Sequence, residues 1–366
     1  MALQHSALIG QETMTHACYC VTKHNAPLER MDCPTPEPAG AEVLIRMTAA
    51  GVCHSDIHIW EGVYDLGSGN KMTLKDRGVA LPLTMGHEIS GEVVKVGPDA
   101  KGVKVGTSCV VYPWLGCGEC PTCKRGEENL CAVKARAMGV FMPGGYAEYV
   151  LVPHERYCVD LGALDPAESA PLACSGVITY SAFKKFGAKI KDEPIVIMGA
   201  GGLGHMALSV LRAMGGKGAV VVDIDAGKRK AAMEAGALAA IDGAATDASG
   251  QIVKATGGGA ACVLDLVGAA ATVNLGMASI RKGGEIVVVG LYGGELSLPI
   301  VYLPLRGMGL RGSYVGSLPE LEDLVALAQK GALKPIKVTR RKLPEASAAL
   351  SDLKAGKVVG RIVLVP

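Results

Sequence analysis

Four cysteines lie within fifteen residues of one another, at Cys117, Cys120, Cys123 and Cys131. A thiolate is a soft, anionic ligand, and four of them complete the tetrahedral coordination of a zinc ion. The spacings of three, three and eight residues allow one short loop to surround the ion. Buried thiols or disulfides are the alternative, but nothing else in the sequence indicates an oxidising compartment. Because four thiolates leave no open position, we expect this zinc to be structural, so the chemistry must lie elsewhere.

The bulk composition indicates a two-domain α/β protein. The chain has 366 residues, which exceeds the usual size of one hydrophobic core. Its 49 glycines and low aromatic content fit an α/β fold with many tight turns. The formal net charge is only +2, and basic runs are at most three residues long. Nucleic acid and anionic membranes are therefore not expected as main partners.

Three features of the sequence predict a cytoplasmic protein. The N-terminal residues lack a charged segment followed by a long apolar core, so no secretory signal is expected. No stretch approaches the 18 uninterrupted apolar residues typical of a membrane-spanning helix. Twelve cysteines without a signal peptide fit a reducing compartment in which some of them bind metal.

The rhythm of apolar residues changes along the chain. Residues 17 to about 160 contain short apolar runs bounded by turn residues, which predicts a β-rich segment. From about residue 190, apolar strands alternate with Ala-rich helical patterns, as in a doubly wound parallel sheet. The predicted strands begin at Ile195, Ala219, Ala239, Ala261, Glu285 and Gly309.

The C-terminal part predicts a capped helix and a final strand. Ser317 and Glu320 form a capping box at the start of this helix, and Gly331 ends it. A short strand follows from Gly360. We infer a nucleotide-binding domain inserted between two parts of a β-rich domain, with residues 62–80 as a long surface excursion.

A glycine-rich turn indicates a dinucleotide site. Gly199, Gly201 and Gly204 form G-x-G-x-x-G between the strand at Ile195 and a helical stretch beginning at Leu203. The first glycine permits the tight turn, the second lets the backbone approach a pyrophosphate, and the third allows close helix–strand packing. Glycine-rich turns alone are common in α/β proteins. Here Asp223, nineteen residues past Gly204, ends the next strand, where a carboxylate can accept from ribose hydroxyls.

Three further segments carry residues that can bind a metal. Cys53, His87 and Cys174 together offer two thiolates and one imidazole, which neutralise Zn²⁺ and leave a fourth position open. Such a metal acts as a Lewis acid on an alcohol or carbonyl. Taken singly, a lone His is more often a core residue, and Cys174 could be a small hydrophobic residue. Spacing alone does not join three residues spread over 121 positions.

Nearly the whole chain, from about residue 17, resembles the zinc-dependent medium-chain alcohol dehydrogenases. The matching motifs, in the family's order and separations, are G-V-C-H-S-D at 51–56, G-H-E at 86–88, the four-cysteine lobe, A-P-L-A-C at 170–174 and G-A-G-G-L-G at 199–204. The resemblance implies a GroES-like catalytic domain at 1–175 and 316–366, with the zinc lobe at 117–131. A Rossmann NAD-binding domain is implied at 176–315. The first dozen residues and the 62–80 excursion depart from the compact pattern, and the excursion is expected to shape either the substrate entrance or a subunit contact.

The resemblance also implies roles for individual residues around the reactive metal. Cys53, His87 and Cys174 would be the ligands of a catalytic zinc, and Glu88 would approach the metal when water leaves. Asp56 would orient His87 by accepting from its other ring nitrogen. Ser55 would bond the substrate oxygen, and His58 would be the outer end of a proton relay. The cofactor-binding positions implied by the match are Gly199, Gly201, Gly202, Leu203, Gly204, Asp223 and Lys228. The match also suggests His54 and Arg361 as pyrophosphate contacts.

The expected activity is reversible hydride transfer between an alcohol and NAD, with two zinc ions per chain. A polyol or sugar dehydrogenase is the alternative within the fold, although such relatives usually carry Glu in place of Cys174 and often lack the lobe cysteines. An aldehyde reductase and a non-catalytic binding protein on the same scaffold are further alternatives. The four-cysteine lobe could also indicate a nucleic-acid zinc ribbon, but the near-neutral charge disfavours it.

The sequence also gives expectations for the choice of cofactor, the oligomeric state and the wall of the substrate pocket. Asp223 predicts NAD rather than NADP, although Asp225 could share its role and the run 228–230 (Lys-Arg-Lys) could attract a phosphate. The resemblance implies a homodimer or homotetramer with a contact near residues 309–314. Trp60 and Trp114 lie beside site segments and are expected either to wall the pocket or to belong to the core.

Overall fold

The N-terminal part of the molecule is a β-rich unit. The computed structural model describes residues 14–366, so the first dozen residues discussed above lie outside the described part. The strands of this unit are β1 (Thr15–Val21), β2 (Glu29–Pro34), β3 (Val43–Val52), β4 (Val63–Gly67), β5 (Asn70–Thr73), β6 (Leu83–Thr84), β7 (Glu88–Val96), β8 (Ser108–Val111), β9 (Trp114–Leu115), β10 (Arg136–Ala137), β11 (Tyr149–Val152) and β12 (Cys158–Asp160). Its helices are α1 (His54–Glu61), α2 (Pro121–Lys124) and α3 (Pro166–Ser169).

The middle of the chain alternates helices with strands. Its helices are α4 (Ser175–Phe186), α5 (Lys189–Asp192), α6 (Gly202–Ala213), α7 (Ala226–Glu234), α8 (Ala248–Ala255), α9 (Ala270–Ser279) and α10 (Tyr302–Arg306). Its strands are β13 (Ile195–Met198), β14 (Ala219–Asp223), β15 (Ala239–Asp242), β16 (Ala260–Asp265), β17 (Ile280–Val288) and β18 (Gly309–Gly312). The C-terminal elements are α11 (Leu318–Gln329), β19 (Val338–Lys342), α12 (Ala346–Lys354) and β20 (Arg361–Val365).

The strands of the middle part form the predicted doubly wound sheet. Within the described residues the strand order is β15-β14-β13-β16-β17-β18, and the paired strands run parallel. All four residues of β13 are buried, because helices cover both faces of a central parallel strand. The carboxyl ends of β13 and β14 lie beside each other, and this is where such folds bind ligands. The predictions of strands at these six positions and of an α/β fold are confirmed.

The C-terminus returns to the β-rich unit. In the described part of the chain, β12, β8, β7, β3, β20 and β19 lie in that order in one sheet, with β11 also paired to β3. The antiparallel pairing places Leu364 opposite Ala50 and Ile362 opposite Val52. β20 therefore carries Arg361 to the end of β3, next to the motif that begins at Gly51. The predicted capping box of α11 is also present, since the Ser317 side chain accepts from the backbone N–H of Glu320.

The excursion at residues 62–80 contains a hairpin that reaches the loop following β17. β4 and β5 pair antiparallel, and Ser68 between them donates to the Glu295 carboxylate. A Cβ placed on Gly293 would lie 2.5 Å from the Asp65 carbonyl oxygen, so the two backbones touch. The excursion thus packs across both parts of the molecule. No helix within residues 14–366 combines the length and the apolar character that crossing a bilayer requires.

Candidate active site and metal centres

The three ligands predicted for the reactive metal converge from three separate elements. Cys53 lies between β3 and α1, His87 immediately precedes β7, and Cys174 precedes α4. The Sγ atoms of Cys53 and Cys174 are 3.9 Å apart. Together with His87 and Glu88, each residue offers one ligand atom within 4.8 Å of the others, and all four are buried. Two sulfurs bound at about 2.3 Å to one tetrahedral zinc lie roughly 3.8 Å apart, which this spacing matches.

The imidazole of His87 is oriented for a metal by the side chain of Asp56. Its Nδ1 lies 3.0 Å from Asp56 Oδ1, and the other carboxylate oxygen accepts from the Cys53 N–H (2.8 Å) and the Tyr146 hydroxyl (3.0 Å). These contacts fix Nδ1 as the donor, so Nε2 carries the free lone pair. That Nε2 is buried and has no hydrogen-bond partner within the described residues. Since an orphaned buried acceptor is costly, the site fits a resident cation.

Glu88 lies beside the ligands and is paired with Arg361. The guanidinium donates from Nε to Glu88 Oε2 at 3.0 Å, and its Nη2 bonds the other carboxylate oxygen. Glu88 is fully buried, and Arg361 is 6% exposed. Burial raises the pKa of Glu88 to about 7, while the Arg361 charge opposes the rise. The predicted pyrophosphate contact of Arg361 stays a prediction, since its guanidinium is engaged with this carboxylate.

The four-cysteine lobe brings its sulfurs to the spacing expected around one ion. The Sγ–Sγ distances are 3.8 Å between Cys117 and Cys123, 3.5 Å between Cys120 and Cys123, and 4.0 Å between Cys120 and Cys131. All four are free thiols rather than disulfides. Four sulfurs at about 2.3 Å from a tetrahedral zinc would be roughly 3.8 Å apart, so the lobe fits a closed zinc site.

Backbone N–H groups stabilise the thiolate form of cysteines in this lobe. The N–H of Cys120 donates to the sulfur of Cys117 (3.3 Å), and the N–H of Lys134 donates to that of Cys131 (3.4 Å). The second bond, with other N–H groups, lowers the pKa of Cys131 to about 6 despite burial. Burial raises the pKa of Cys123 to about 12, so this thiol needs a cation to ionise near neutral pH.

The glycine-rich turn has the geometry of a dinucleotide cradle. Gly199 has φ +101°, and a Cβ on Gly204 would lie 2.2 Å from the Gly199 carbonyl oxygen, so both positions require glycine. A Cβ on Gly201 would meet nothing within 4 Å, which leaves open space above the N-terminus of α6. Free backbone N–H groups at that terminus suit a pyrophosphate. The neighbouring predicted contacts, Gly202 and Leu203, form the first turn of α6.

Asp223 lies at the end of β14 and faces this turn. Its carboxylate accepts from the N–H groups of Ala200 (2.8 Å) and Asp225 (2.9 Å). Arg229 pairs with Asp242 and donates to the Asp223 carbonyl, so the middle residue of the 228–230 run is already engaged. Lys228 belongs to the first turn of α7, where its N–H donates to Asp225.

The predicted relay residues lie along α1. Ser55 and His58 are half-buried, and His54 is exposed at the helix start. The ring of His58 lies 4.9 Å from that of Tyr64 and 6.3 Å from that of His54. Burial, followed by the charge of His54, lowers the pKa of His58. His58 therefore stays neutral at neutral pH and can accept a proton.

A cleft of about 300 Å³ has Trp114 in its lining, whereas none of Cys53, His87, Glu88 and Cys174 lines it. Trp114 forms its inner wall, with its ring 5.4 Å from His87 and its indole N–H bonded to the Ala173 carbonyl (3.1 Å). Trp60 is not part of the cleft lining: it donates to the Ala26 carbonyl, and its ring packs against the Lys354 ammonium. Of the two tryptophans considered as wall residues, Trp114 alone lines the cleft.

Sequence reasoning missed several residues of the site. Tyr146 holds Asp56, but nothing in a β-strand pattern marks its hydroxyl as a partner of a distant carboxylate. Arg77, Phe141 and Tyr314 line the cleft from three different loops. The length of the 62–80 excursion was the one available signal, and it predicted either a substrate entrance or a subunit contact.

Comparisons with known proteins agree with this geometry. Residues 39–163 match the family described as alcohol dehydrogenase GroES-like domain, and residues 202–330 match the zinc-binding dehydrogenase family. An NAD-dependent alcohol dehydrogenase of Sulfurisphaera tokodaii is 40% identical over 341 residues, covering 93% of this chain and 97% of that protein. A D-arabinose 1-dehydrogenase (NADP(+)) of Saccharolobus solfataricus is 36% identical over 351 residues, covering 94% and 96%.

Comparison with solved structures also finds an alcohol dehydrogenase of similar fold. The crystal structure of the alcohol dehydrogenase from Aeropyrum pernix superposes with a TM-score of 0.86 at 32% identity, covering 96% of this chain and 100% of that one. Membership of one family therefore explains the GroES-like unit, the Rossmann sheet and both potential metal sites. The chain belongs to the zinc-dependent medium-chain alcohol dehydrogenase family.

Proposed function

We propose that the protein catalyses reversible oxidation of an alcohol to an aldehyde or ketone, with transfer of a hydride to NAD. The main support is that Cys53, His87 and Cys174 are buried close together. The Nε2 atom of His87 has no hydrogen-bond partner among the described residues. Two neighbours support the proposal: Trp114, whose ring lies 5.4 Å from that of His87, lines a cleft, and Arg361 lies beside the dinucleotide turn. The cofactors are NAD and two zinc ions per chain, one catalytic and one structural.

The residues around the metal prepare it for a substrate oxygen. When bound at Cys53, His87 and Cys174, zinc supplies a Lewis acid that favours loss of the substrate's hydroxyl proton. Asp56 keeps the His87 ring in one tautomer and one orientation. Glu88, which is held by Arg361, is the carboxylate close enough to replace a water molecule at the open position of the metal.

The proton leaves through the first turns of α1. Ser55 accepts it from the substrate oxygen and gives up its own hydroxyl proton, which His58 receives and passes to solvent. The lowered pKa of His58 supports this assignment, because a neutral imidazole is needed to receive the proton. His54, exposed beside His58, lies on the solvent side.

NAD would be held at the carboxyl ends of β13 and β14. The N-terminus of α6, with Gly199, Gly201, Gly202, Leu203 and Gly204, would receive the pyrophosphate. Asp223 would accept from the adenosine ribose hydroxyls, and Lys228 would contact the same ribose. The engagement of Arg229 with Asp242 supports NAD over NADP, since that arginine is not free for a 2′-phosphate.

The larger organisation belongs to the same proposal. The catalytic domain comprises residues 1–175 and 316–366, and the Rossmann domain residues 176–315; the pairing of β20 with β3 supports this division. The protein acts in the cytoplasm on small alcohols and aldehydes, with neither nucleic acid nor membrane as a partner.

We expect a homodimer or homotetramer joined at the open edge of β18. Within residues 14–366 β18 pairs on one side only, and apolar side chains are exposed in the preceding segment, at Tyr292 (71%), Ile300 (79%) and Leu305 (68%). Unprotected edges and exposed apolar patches favour association. Sedimentation velocity should give two or four chains per particle, and Leu305→Asp should shift it toward the monomer.

Sugar or polyol oxidation is the second candidate. One relative is a D-arabinose 1-dehydrogenase (NADP(+)) at 36% identity, so overall similarity does not separate the two classes. Cys174 and the complete cysteine lobe favour an alcohol dehydrogenase over a sugar or polyol dehydrogenase.

The test is an assay of simple alcohols, aldehydes, D-arabinose and polyols with NAD and with NADP. The chelator-treated enzyme is compared with the same sample after zinc is restored. We expect NADH formation from alcohols, lost with the metal and recovered with it. Turnover restricted to sugars would favour the second candidate, and turnover unaffected by chelation would contradict both.

A further inference from the structure

The cleft lined by Trp114 carries positive charge that no side chain of its lining neutralises. Two arginines, an amide and aromatic rings contribute to that lining, and no carboxylate does; the residues that matter here are Arg77, Arg136, Asn129, Trp114, Phe141 and Tyr314. Neither Arg77 nor Arg136 forms an ion pair with any carboxylate of residues 14–366. Because charge complementarity governs which ligands enter a cleft, this surface favours an anionic group.

Arg77 is held in place by aromatic side chains. Its guanidinium carbon lies 5.5 Å from the ring centre of Phe141 and 5.8 Å from that of Tyr64. Burial raises the pKa of Tyr64 and of Tyr314, and the charge of Arg77 opposes the rise in both cases. An arginine packed against rings loses less freedom when it binds a ligand than one on a bare surface.

The aromatic wall connects this arginine to the metal site. The Trp114 ring lies 5.4 Å from the His87 ring at one end and 6.0 Å from the Tyr314 ring at the other. Asn129 donates to the Tyr314 carbonyl at 2.9 Å, while its buried side-chain oxygen has no hydrogen-bond partner among residues 14–366. Because Trp114 contacts His87 and also lines the cleft, a substrate bound at the metal site would extend along aromatic faces toward Arg77.

We propose that the physiological substrate is an alcohol or aldehyde that bears a carboxylate, which Arg77 receives at the outer end of the cleft. The inference rests on the proposed function. A planar guanidinium pairs with a carboxylate through two parallel hydrogen bonds, which fixes the orientation of the ligand as well as binding it. The cleft volume of about 300 Å³ restricts the substrate to a small molecule, and its rings suit an aryl group.

The test compares two alcohols of similar shape, 4-(hydroxymethyl)benzoate and its neutral methyl ester. We expect wild-type kcat/KM to favour the acid, and Arg77→Gln to lower kcat/KM for the acid roughly tenfold, as for loss of one charge-assisted contact. The ester should change little. Lys75→Gln removes an exposed positive charge from the same loop but outside the cleft lining, and should leave the acid-to-ester ratio unchanged. Added salt should reduce the preference of the wild type.

A binding measurement separates this inference from the proposed activity. The chain has two tryptophans, so Trp60→Phe leaves Trp114 as the single indole, inside the cleft. Quenching of its fluorescence by 4-(hydroxymethyl)benzoate should saturate, and Arg77→Gln should weaken it by a similar factor. Arg77-dependent binding without turnover of any alcohol would support the ligand class and contradict the proposed activity. Turnover of the ester with no preference for the acid, or absence of Arg77-dependent binding, would overturn the inference.

Discussion

Arg361 forms a two-bond ion pair with Glu88, and the pair is enclosed in protein. The residues are 273 positions apart; Glu88 follows the proposed zinc ligand His87, and Arg361 starts the C-terminal strand. The preceding Gly360 has its carbonyl oxygen 2.5 Å from where a Cβ of Gly202 would be, at the start of α6. The pair therefore joins the metal site, the C-terminal strand and the dinucleotide turn, which come from both ends and the middle of the chain.

Removing the arginine should cost much of the stability of this junction. Arg361→Met leaves the Glu88 carboxylate buried without a partner, which is expected to lower the free energy of unfolding by about 3–5 kcal/mol. Urea denaturation at fixed protein and zinc concentrations measures the change. Arg341→Met on the neighbouring strand breaks a partly exposed pair with Asp352 and should cost about 1 kcal/mol or less.

The double variant Glu88→Gln, Arg361→Met completes this experiment. It removes both charges, so a large part of the loss should be recovered. Equal costs for Arg361→Met and Arg341→Met would contradict the account of the buried pair.

The two zinc sites should respond differently to mutation. Cys174→Ala removes a catalytic ligand, so we expect a folded protein that keeps one zinc and lacks turnover. Cys120→Ala opens the closed lobe, so loss of thermal stability and solubility should come first. Metal analysis and thermal unfolding of both variants decide the matter, and active wild-type enzyme with fewer than two zinc ions per chain would refute the assignment.

The relay predicts a particular effect of pH. Since burial and His54 lower the pKa of His58, the ring is neutral at neutral pH, and oxidation should fall only as pH drops below about 6.5, the ordinary pKa of histidine. His58→Gln should alter this acid limb while keeping much of the rate, because solvent can replace the outer member. Ser55→Ala should lower kcat by roughly 10²–10⁴-fold. Unchanged turnover of Ser55→Ala, or an acid limb insensitive to His58→Gln, would remove that residue from the relay.

Asp223 is predicted to set the choice of cofactor. A 2′-phosphate in its place would meet a like charge and lose the ribose hydrogen bonds, so the wild type should use NAD far better than NADP. Losing such contacts is worth roughly 2–5 kcal/mol, so Asp223→Ser should weaken NAD strongly and narrow or reverse the preference. The ratio of kcat/KM for the two cofactors measures this. If the wild type used both equally, Asp223 would not be the discriminator.

The doubly wound sheet was predictable because its strands are continuous apolar runs. β13 and β16 are buried along their whole length, so hydrophobicity alone marks them. The cysteine lobe was predictable for a related reason, since all its ligands lie within one short loop. Local patterns of this kind need no knowledge of the rest of the fold.

The open metal site and the cleft needed more than local patterns. Cys53 and Cys174 are 121 residues apart and meet only because separate elements converge, so resemblance to a family had to supply the set. Arg77 is an exposed residue in a polar loop, and its position over Phe141 follows from how the hairpin packs. The hydroxyl of Tyr146 reaches Asp56 for the same reason, which no spacing encodes.

The central claim is that a metal held by Cys53, His87 and Cys174 is required for hydride transfer from alcohol to NAD. The most direct measurement is NADH formation from an alcohol by wild type and by Cys174→Ala, with zinc content and circular dichroism recorded on the same samples. We predict two zinc ions and turnover for the wild type, against one zinc ion, a native spectrum and no turnover for the variant. Undiminished NADH formation by a Cys174→Ala protein that has lost one zinc would contradict the account.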